Sequence, residues 1–258
     1  MFCWSVHGCI HSVFVQAKGG FYGKDPTKLY AEKKLRYTRI MQLDLLQKIS
    51  VWALPVIFAI TVHEASHGFV ASKFGDQTAK MMGRLTLNPL KHIDWLGTVI
   101  VPLLLLTYGS VLFGWAKPVP ISPSNFKRPR PYMAIVAAAG PLSNLLMAII
   151  WAIIGKLGLI AMTHGAMAFR PVWLMGQAGI YINVIIGVLN LIPLPPLDGG
   201  RIVSNLIPSR TAYYYDKVEP FGFLILLILL VTGVLWMAIG PIIMNMTQGL
   251  FALFGLGG

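Results

Sequence analysis

The chain has 258 residues, of which 56% are hydrophobic and only 12% charged, with a net charge of +12. A charged share about half that of ordinary globular chains excludes a soluble domain as the main architecture. Lys and Arg gather between apolar runs, where membrane topology accounts for them. No basic-and-aromatic stripe resembles a nucleic-acid motif, so nucleic acid is not an expected partner.

Residues 1–40 read differently from the rest. They hold seven Lys/Arg against two acids, and Gly19, Gly20, Gly23 and Pro26 interrupt any regular element. The run from Cys9 to Val15 is too short to span a bilayer and lacks the form of a signal peptide. Cys3, His7, Cys9 and His11 match no zinc module, and two cysteines make no disulfide framework. The reading is a disordered extension, or an artefact ahead of a start at Met41. Residues 41–258 then form a single membrane-embedded domain with its core at about 45–205.

Four apolar runs are long enough to read as spans: Ser50–Ala71, Met133–Leu157, Val172–Leu194 and Phe221–Ile239. Between the first two lie a polar stretch, 72–94, the apolar segment 95–113 interrupted by Pro102 and Gly109, and a Pro-rich basic loop, Gly114–Pro131. Within the polar stretch, Gly83–Pro89 (GRLTLNP) alternates in part at Leu85 and Leu87, the pattern of an exposed strand whose edge would pair with an extended peptide. His92 and Asp94 read as interfacial polar residues. A last apolar hairpin, expected to break near Gly240-Pro241, finishes the chain.

The first span carries HEASH. Positions i and i+4 share a helix face, so His63 and His67, about 6 Å apart along the axis, can bring two imidazole nitrogens to one zinc ion. Glu64 between them would be the general base for a water rather than a ligand. A His-Glu pair inside a membrane helix is a functional candidate by default, because a charged group there is costly. A zinc hydrolase needs a third protein ligand. The acids after Glu64 are Asp76, Asp94, Asp198, Asp216 and Glu219. Asp198 stands out because it ends an apolar segment, follows helix-breaking Pro193, Pro195 and Pro196, and precedes Gly199-Gly200. Irregular backbone at membrane depth is tolerated only where it is buried in protein or lines a wet cavity.

HEASHG at 63–68, AGPLSN at 139–144 and NLIPLPPLDGGR at 190–201, in that order, resemble the site-2 protease family of intramembrane zinc metalloproteases. GRLTLNP and GWAKPVP are similar to its compact bacterial branch, without PDZ or CBS domains. The resemblance implies zinc ligands His63, His67 and Asp198, one zinc per chain, and Glu64 as general base. It also implies that Asn144 lies near the zinc and holds the substrate or the developing oxyanion. The implied substrates are single-span membrane proteins.

Topology tests this set independently. His63 and His67 lie toward the C-terminal end of one span and Asp198 at the C-terminal end of another, so the two helices must run the same way. Three full spans after the first would make the last run opposite to it. The expectation is therefore that 95–113 is re-entrant or interfacial. Positive-inside counting agrees: eleven Lys and Arg lie in 72–131 and 200–219, on one face, against little beyond Lys48 and Arg170 on the other.

The whole reads as an all-α polytopic membrane protein: a three-helix catalytic core, the re-entrant or interfacial segment, and a C-terminal helical hairpin. The expected activity is hydrolysis of peptide bonds within or near transmembrane segments, in the bacterial cytoplasmic membrane, with the site toward the cytosol. One alternative is a membrane zinc protease acting on a soluble or lipidated terminus, with Glu219 as the later acid. Another is a transporter or metal-permeation protein with a His/Asp-lined path, in which transport would survive Glu64→Gln.

Overall fold

A backbone in hydrocarbon has no water to bond, so long apolar runs close their hydrogen bonds internally as helices. The computed structural model describes residues 45–92, 94–100 and 117–256, and the helices follow the apolar runs. They are α1 (Leu45–Lys73), α2 (Thr78–Met81), α3 (Pro129–Thr163), α4 (Arg170–Asn190), α5 (Asp198–Leu206), α6 (Ser209–Asp216), α7 (Glu219–Val231) and α8 (Val234–Leu253). Helices α1, α3, α4 and α8 are long and apolar enough to cross a membrane. The 35 residues of α3 rise about 52 Å, well beyond a hydrocarbon core of about 30 Å. Residues 1–40, with the Cys/His cluster and the suspected start at Met41, lie outside the described residues.

Helix α4 is the centre of the bundle, because 56% of its apolar window is buried against 28–33% for the other three spans. Lipid-facing positions on those outer helices keep large apolar side chains exposed, among them Leu54, Leu146 and Leu157. Helices α3 and α4 approach through glycines. A Cβ added at Gly176 would lie 2.3 Å from Gly155 Cα, and one at Gly179 would lie 2.1 Å from the Trp151 ring. Without a hydrophobic drive between helices in lipid, such close backbone packing is a main source of association.

The expected strand at 83–89 does not form; among the described residues there is no strand. Local bonds take the amides instead. Asn88 N–H donates to Thr86 Oγ1, Leu90 N–H donates to Asn88 Oδ1, and His92 Nε2 bonds Thr86 O. Short polar side chains offering such bonds compete with a ladder. His92 is also buried, at 2% exposure.

Most of segment 95–113 lies outside the described residues, but its flanks carry the topology. Lys117 N–H donates to His92 O at 2.9 Å, so the described chain leaves at His92 and resumes at Lys117 at one point. Helices α1 and α4 therefore run the same way, separated by the single return of α3.

Two boundaries differ from expectation. Helix α4 stops at Asn190, before the prolines at 193, 195 and 196. The single span expected over Phe221–Ile239 is two helices, with the break at Gly233 rather than Gly240-Pro241. Gly233 has φ +78°, a left-handed conformation that glycine adopts without steric cost, whereas Pro241 sits inside α8.

Candidate metal centre

His63 and His67 project from α1 one turn apart and are each 7% exposed; Asp198, the first residue of α5, is 9% exposed. The same-way run of α1 and α4 brings their C-terminal ends together, and the proline-broken stretch after Asn190 carries Asp198 back to the histidines. Gly199 and Gly200 allow this turn. A Cβ at Gly199 would lie 2.4 Å from Ile192 O, and one at Gly200 would lie 2.4 Å from Pro195 N.

Three atoms converge: His63 Nε2, His67 Nε2 and Asp198 Oδ2. They are 3.2 Å apart between the two nitrogens, and 3.1 and 3.3 Å from each nitrogen to the carboxylate oxygen. Tetrahedral ligands at 2.0–2.1 Å from a zinc ion stand roughly 3.3–3.4 Å from one another, so the triangle has the size of a zinc face.

The protonation pattern fits too. His67 Nδ1 lies 2.7 Å from Val136 O, a carbonyl that only accepts, so Nδ1 carries the hydrogen. His63 Nδ1 lies 2.6 Å from Asn144 Oδ1, again an acceptor. In the neutral rings both Nε2 atoms then point lone pairs into the triangle, while Asp198 Oδ2 is buried there without a hydrogen-bond partner. A cation between them would satisfy three buried acceptors at this separation. Among the described residues, these three form the one group of His, Cys, Asp and Glu placed to share a metal ion.

Glu64 is half-buried beside the triangle, and its Oε2 accepts the Val119 N–H at 2.9 Å. Val119 belongs to the loop 117–126, which Asp76 ties to the end of α1. The buried Asp76 carboxylate accepts from Ser122 N–H at 2.7 Å, Asn125 Nδ2 at 2.8 Å and Thr78 N–H at 3.1 Å, and from the Thr78 hydroxyl. Burial would raise the Asp76 carboxyl, but these donors outweigh it and lower it below its ordinary value.

Asn144 is fully buried and its amide is committed: Oδ1 to His63, and Nδ2 to Ala59 O and Asn183 Oδ1, each at 3.0 Å. It thus lies against His63, with both of its N–H groups bonded inside the protein. Asp94 Oδ1 accepts from Gly97 N–H, and neither Asp94, Asp216 nor Glu219 joins the triangle.

Sequence reasoning missed Gly140 and Asn183. A Cβ at Gly140 would lie 2.4 Å from His67 Nε2 and 2.7 Å from His63 Cε1, so the bare glycine makes room for both rings. Asn183 had a signal: an amide in the middle of an apolar run needs a buried partner. A groove of about 380 Å³ lined by Val62, Ser66, Phe69 and Leu85–Leu87 lies on a flank of α1 turned away from the histidines.

Comparison with known proteins agrees with the motifs. Residues 156–233, which include Asp198, match the description Peptidase family M50. The chain is 40% identical over 194 residues to "Putative zinc metalloprotease YwhC" of Bacillus subtilis, covering 71% of this chain and 83% of that protein. It is 30% identical over 183 residues to "Putative zinc metalloprotease Rip2" of Mycolicibacterium smegmatis, covering 69% and 66%. With "Zinc metalloprotease MJ0392" of Methanocaldococcus jannaschii it shares 24% over 239 residues, 89% of this chain and 56% of that longer protein. No solved structure matches. An integral membrane protein with a buried His-His-Asp triangle and these relatives, the chain belongs to peptidase family M50, the site-2 protease family of membrane metallopeptidases.

Proposed function

We propose that the chain is a zinc-dependent endopeptidase that cleaves transmembrane proteins within or near their spans, with His63, His67 and Asp198 as ligands and Glu64 as general base. The observation that carries this reading is the triangle itself, three buried acceptors at zinc-face spacing with both imidazoles held as Nδ1–H tautomers. Zinc, when bound, supplies Lewis acidity that polarises a scissile carbonyl and makes water a nucleophile near neutral pH. Glu64 takes the proton released as water attacks and delivers it to the leaving amine. Val119 N–H holds one oxygen of Glu64 and so aims the carboxylate.

Residues 41–258 are read as one membrane-embedded domain. The chain is placed in the bacterial cytoplasmic membrane with the site toward the cytosol. The support is the set of eleven Lys and Arg in 72–131 and 200–219, on the face where α1 and α4 end. Substrate specificity resides in contacts that a panel of candidates can reveal.

Co-expression with tagged single-span proteins, comparing wild type with Glu64→Gln, tests the proposal. The expected result is zinc retained in the variant and cleavage reduced by about 10²–10⁴-fold, the usual worth of a general base. A variant that cleaves as well as wild type refutes the role of Glu64. A purified wild-type chain that holds no zinc refutes the ligand set.

A further inference from the structure

We infer that Asn183, in the middle of α4, is a positioning residue of the metal centre. It acts through Asn144 to hold His63 in the tautomer whose Nε2 lone pair faces Asp198. This rests on the metal-centre reading above.

The amide of Asn144 could in principle face His63 with either end. Its oxygen would accept from an Nδ1–H; its NH2 group would instead donate to a bare Nδ1 and drive the ring hydrogen to Nε2. His63 does not settle the choice. In the metal-free site the second tautomer has an attraction of its own, because a hydrogen on Nε2 would point toward the Asp198 carboxylate 3.1 Å away. Something else must hold the amide the other way.

Two acceptors do so. Ala59 O, one turn before His63 on α1, and Asn183 Oδ1, from α4, each lie 3.0 Å from Asn144 Nδ2. An amide nitrogen has two hydrogens, and both are taken, so the oxygen faces His63. Asn183 could itself be reversed, but its Nδ2 donates to Gly179 O at 2.9 Å, and a backbone carbonyl cannot change sign. The polarity of the relay is thus set at both ends by backbone carbonyls, Gly179 on α4 and Ala59 on α1. Asn144 and Asn183 are each 0% exposed, where an unpaired amide hydrogen is expensive.

Interhelical adhesion alone would also place a polar pair between spans, but it would not require a direction. The direction here is the one that, in the neutral ring, leaves His63 Nε2 unprotonated. Deleting the Asn183 oxygen orphans one Asn144 hydrogen and leaves Ala59 alone against reversal.

Metal-ligand partners of this kind are worth 10–100-fold in metal affinity, and Asn183 stands one bond further out, so about tenfold is expected. The experiment measures zinc affinity of the purified full chain in detergent by competition with a fluorescent chelator. Asn183→Leu should bind about tenfold more weakly, whereas Asn183→Asp, whose buried and therefore protonated carboxyl keeps the acceptor toward Asn144 and a donor toward Gly179 O, should stay within about threefold of wild type. Asn144→Leu should lose at least as much, and the double variant no more than Asn144→Leu alone, because residues acting in series are not additive. Should Asn183→Leu fail to fold, Asn183→Ala removes the same oxygen without added branching.

Wild-type affinity in the oxygen-deleting variant overturns the inference, as does a double variant whose losses add or a tenfold loss in Asn183→Asp. A wild-type chain that binds no zinc overturns the metal-centre reading itself, a different failure.

Discussion

Gly140→Ala should empty the metal centre without unfolding the protein. The added methyl would sit 2.4 Å from His67 Nε2, 2.6 Å from His67 Cε1 and 2.7 Å from His63 Cε1. Carbon contacts settle near 3.5 Å or more, so the rings must retreat by about 1 Å. Metal–ligand distances tolerate only about ±0.2 Å. The displaced ring is then lost as a ligand. Structural zinc sites are worth about 10–16 kcal/mol over four ligands, so one ligand accounts for roughly 3–4 kcal/mol, or about 10²–10³-fold in affinity. The backbone effect has the opposite sign, since Gly→Ala within a helix gains about 0.8–1 kcal/mol. Zinc affinity by chelator competition should therefore collapse, while the far-ultraviolet circular dichroism and the elution volume in detergent stay as in wild type. Wild-type zinc affinity in a folded Gly140→Ala would refute the packing argument, and with it the place assigned to the two imidazoles.

Two further outcomes follow from the loops around the site. Asp76→Ala removes the acceptor of several buried donors and should loosen the loop 117–126 by about 1.5–3 kcal/mol, the range for hydrogen bonds to a charged group, read as faster proteolysis there. The native Asp76 carboxyl ionises below its ordinary range, so its contribution is full above that range and fades only as pH falls through the lowered native value. Asp76→Asn should abolish that acid-side increase in proteolysis, and an unchanged profile would assign it to another group. Gly222→Ala would put a methyl 1.6 Å from Pro195 O, forcing α7 away from the turn that carries Asp198. It should cost about 1–3 kcal/mol as an overpacked contact; a melting temperature equal to wild type would show that α7 does not brace this turn.

What the sequence determined by itself was whatever depends on local pattern. The apolar runs specified helices α1, α3 and α4 because hydrocarbon leaves a backbone no other partner, and HEASH specified a two-imidazole face because i and i+4 share a helix side. Parity alone suggested that 95–113 add no net crossing, and His92 and Lys117, on either side of it, are joined by a hydrogen bond. The apolar pattern at the C-terminus was legible but its break was not. Gly240 precedes a proline and Gly233 does not, yet the turn falls at Gly233. At 83–89 the alternation of Leu85 and Leu87 suggested a strand, but the polar side chains of Thr86 and Asn88 took the amides first.

Tertiary structure alone decided the orientation of the site: the bare space at Gly140, the loop amide of Val119 on Glu64, and the Asn183–Asn144–His63 relay. These contacts join residues 39 to 81 positions apart. No local periodicity encodes them. They depend on which faces of three helices meet, and that is settled by glycine-to-backbone fit across the whole bundle.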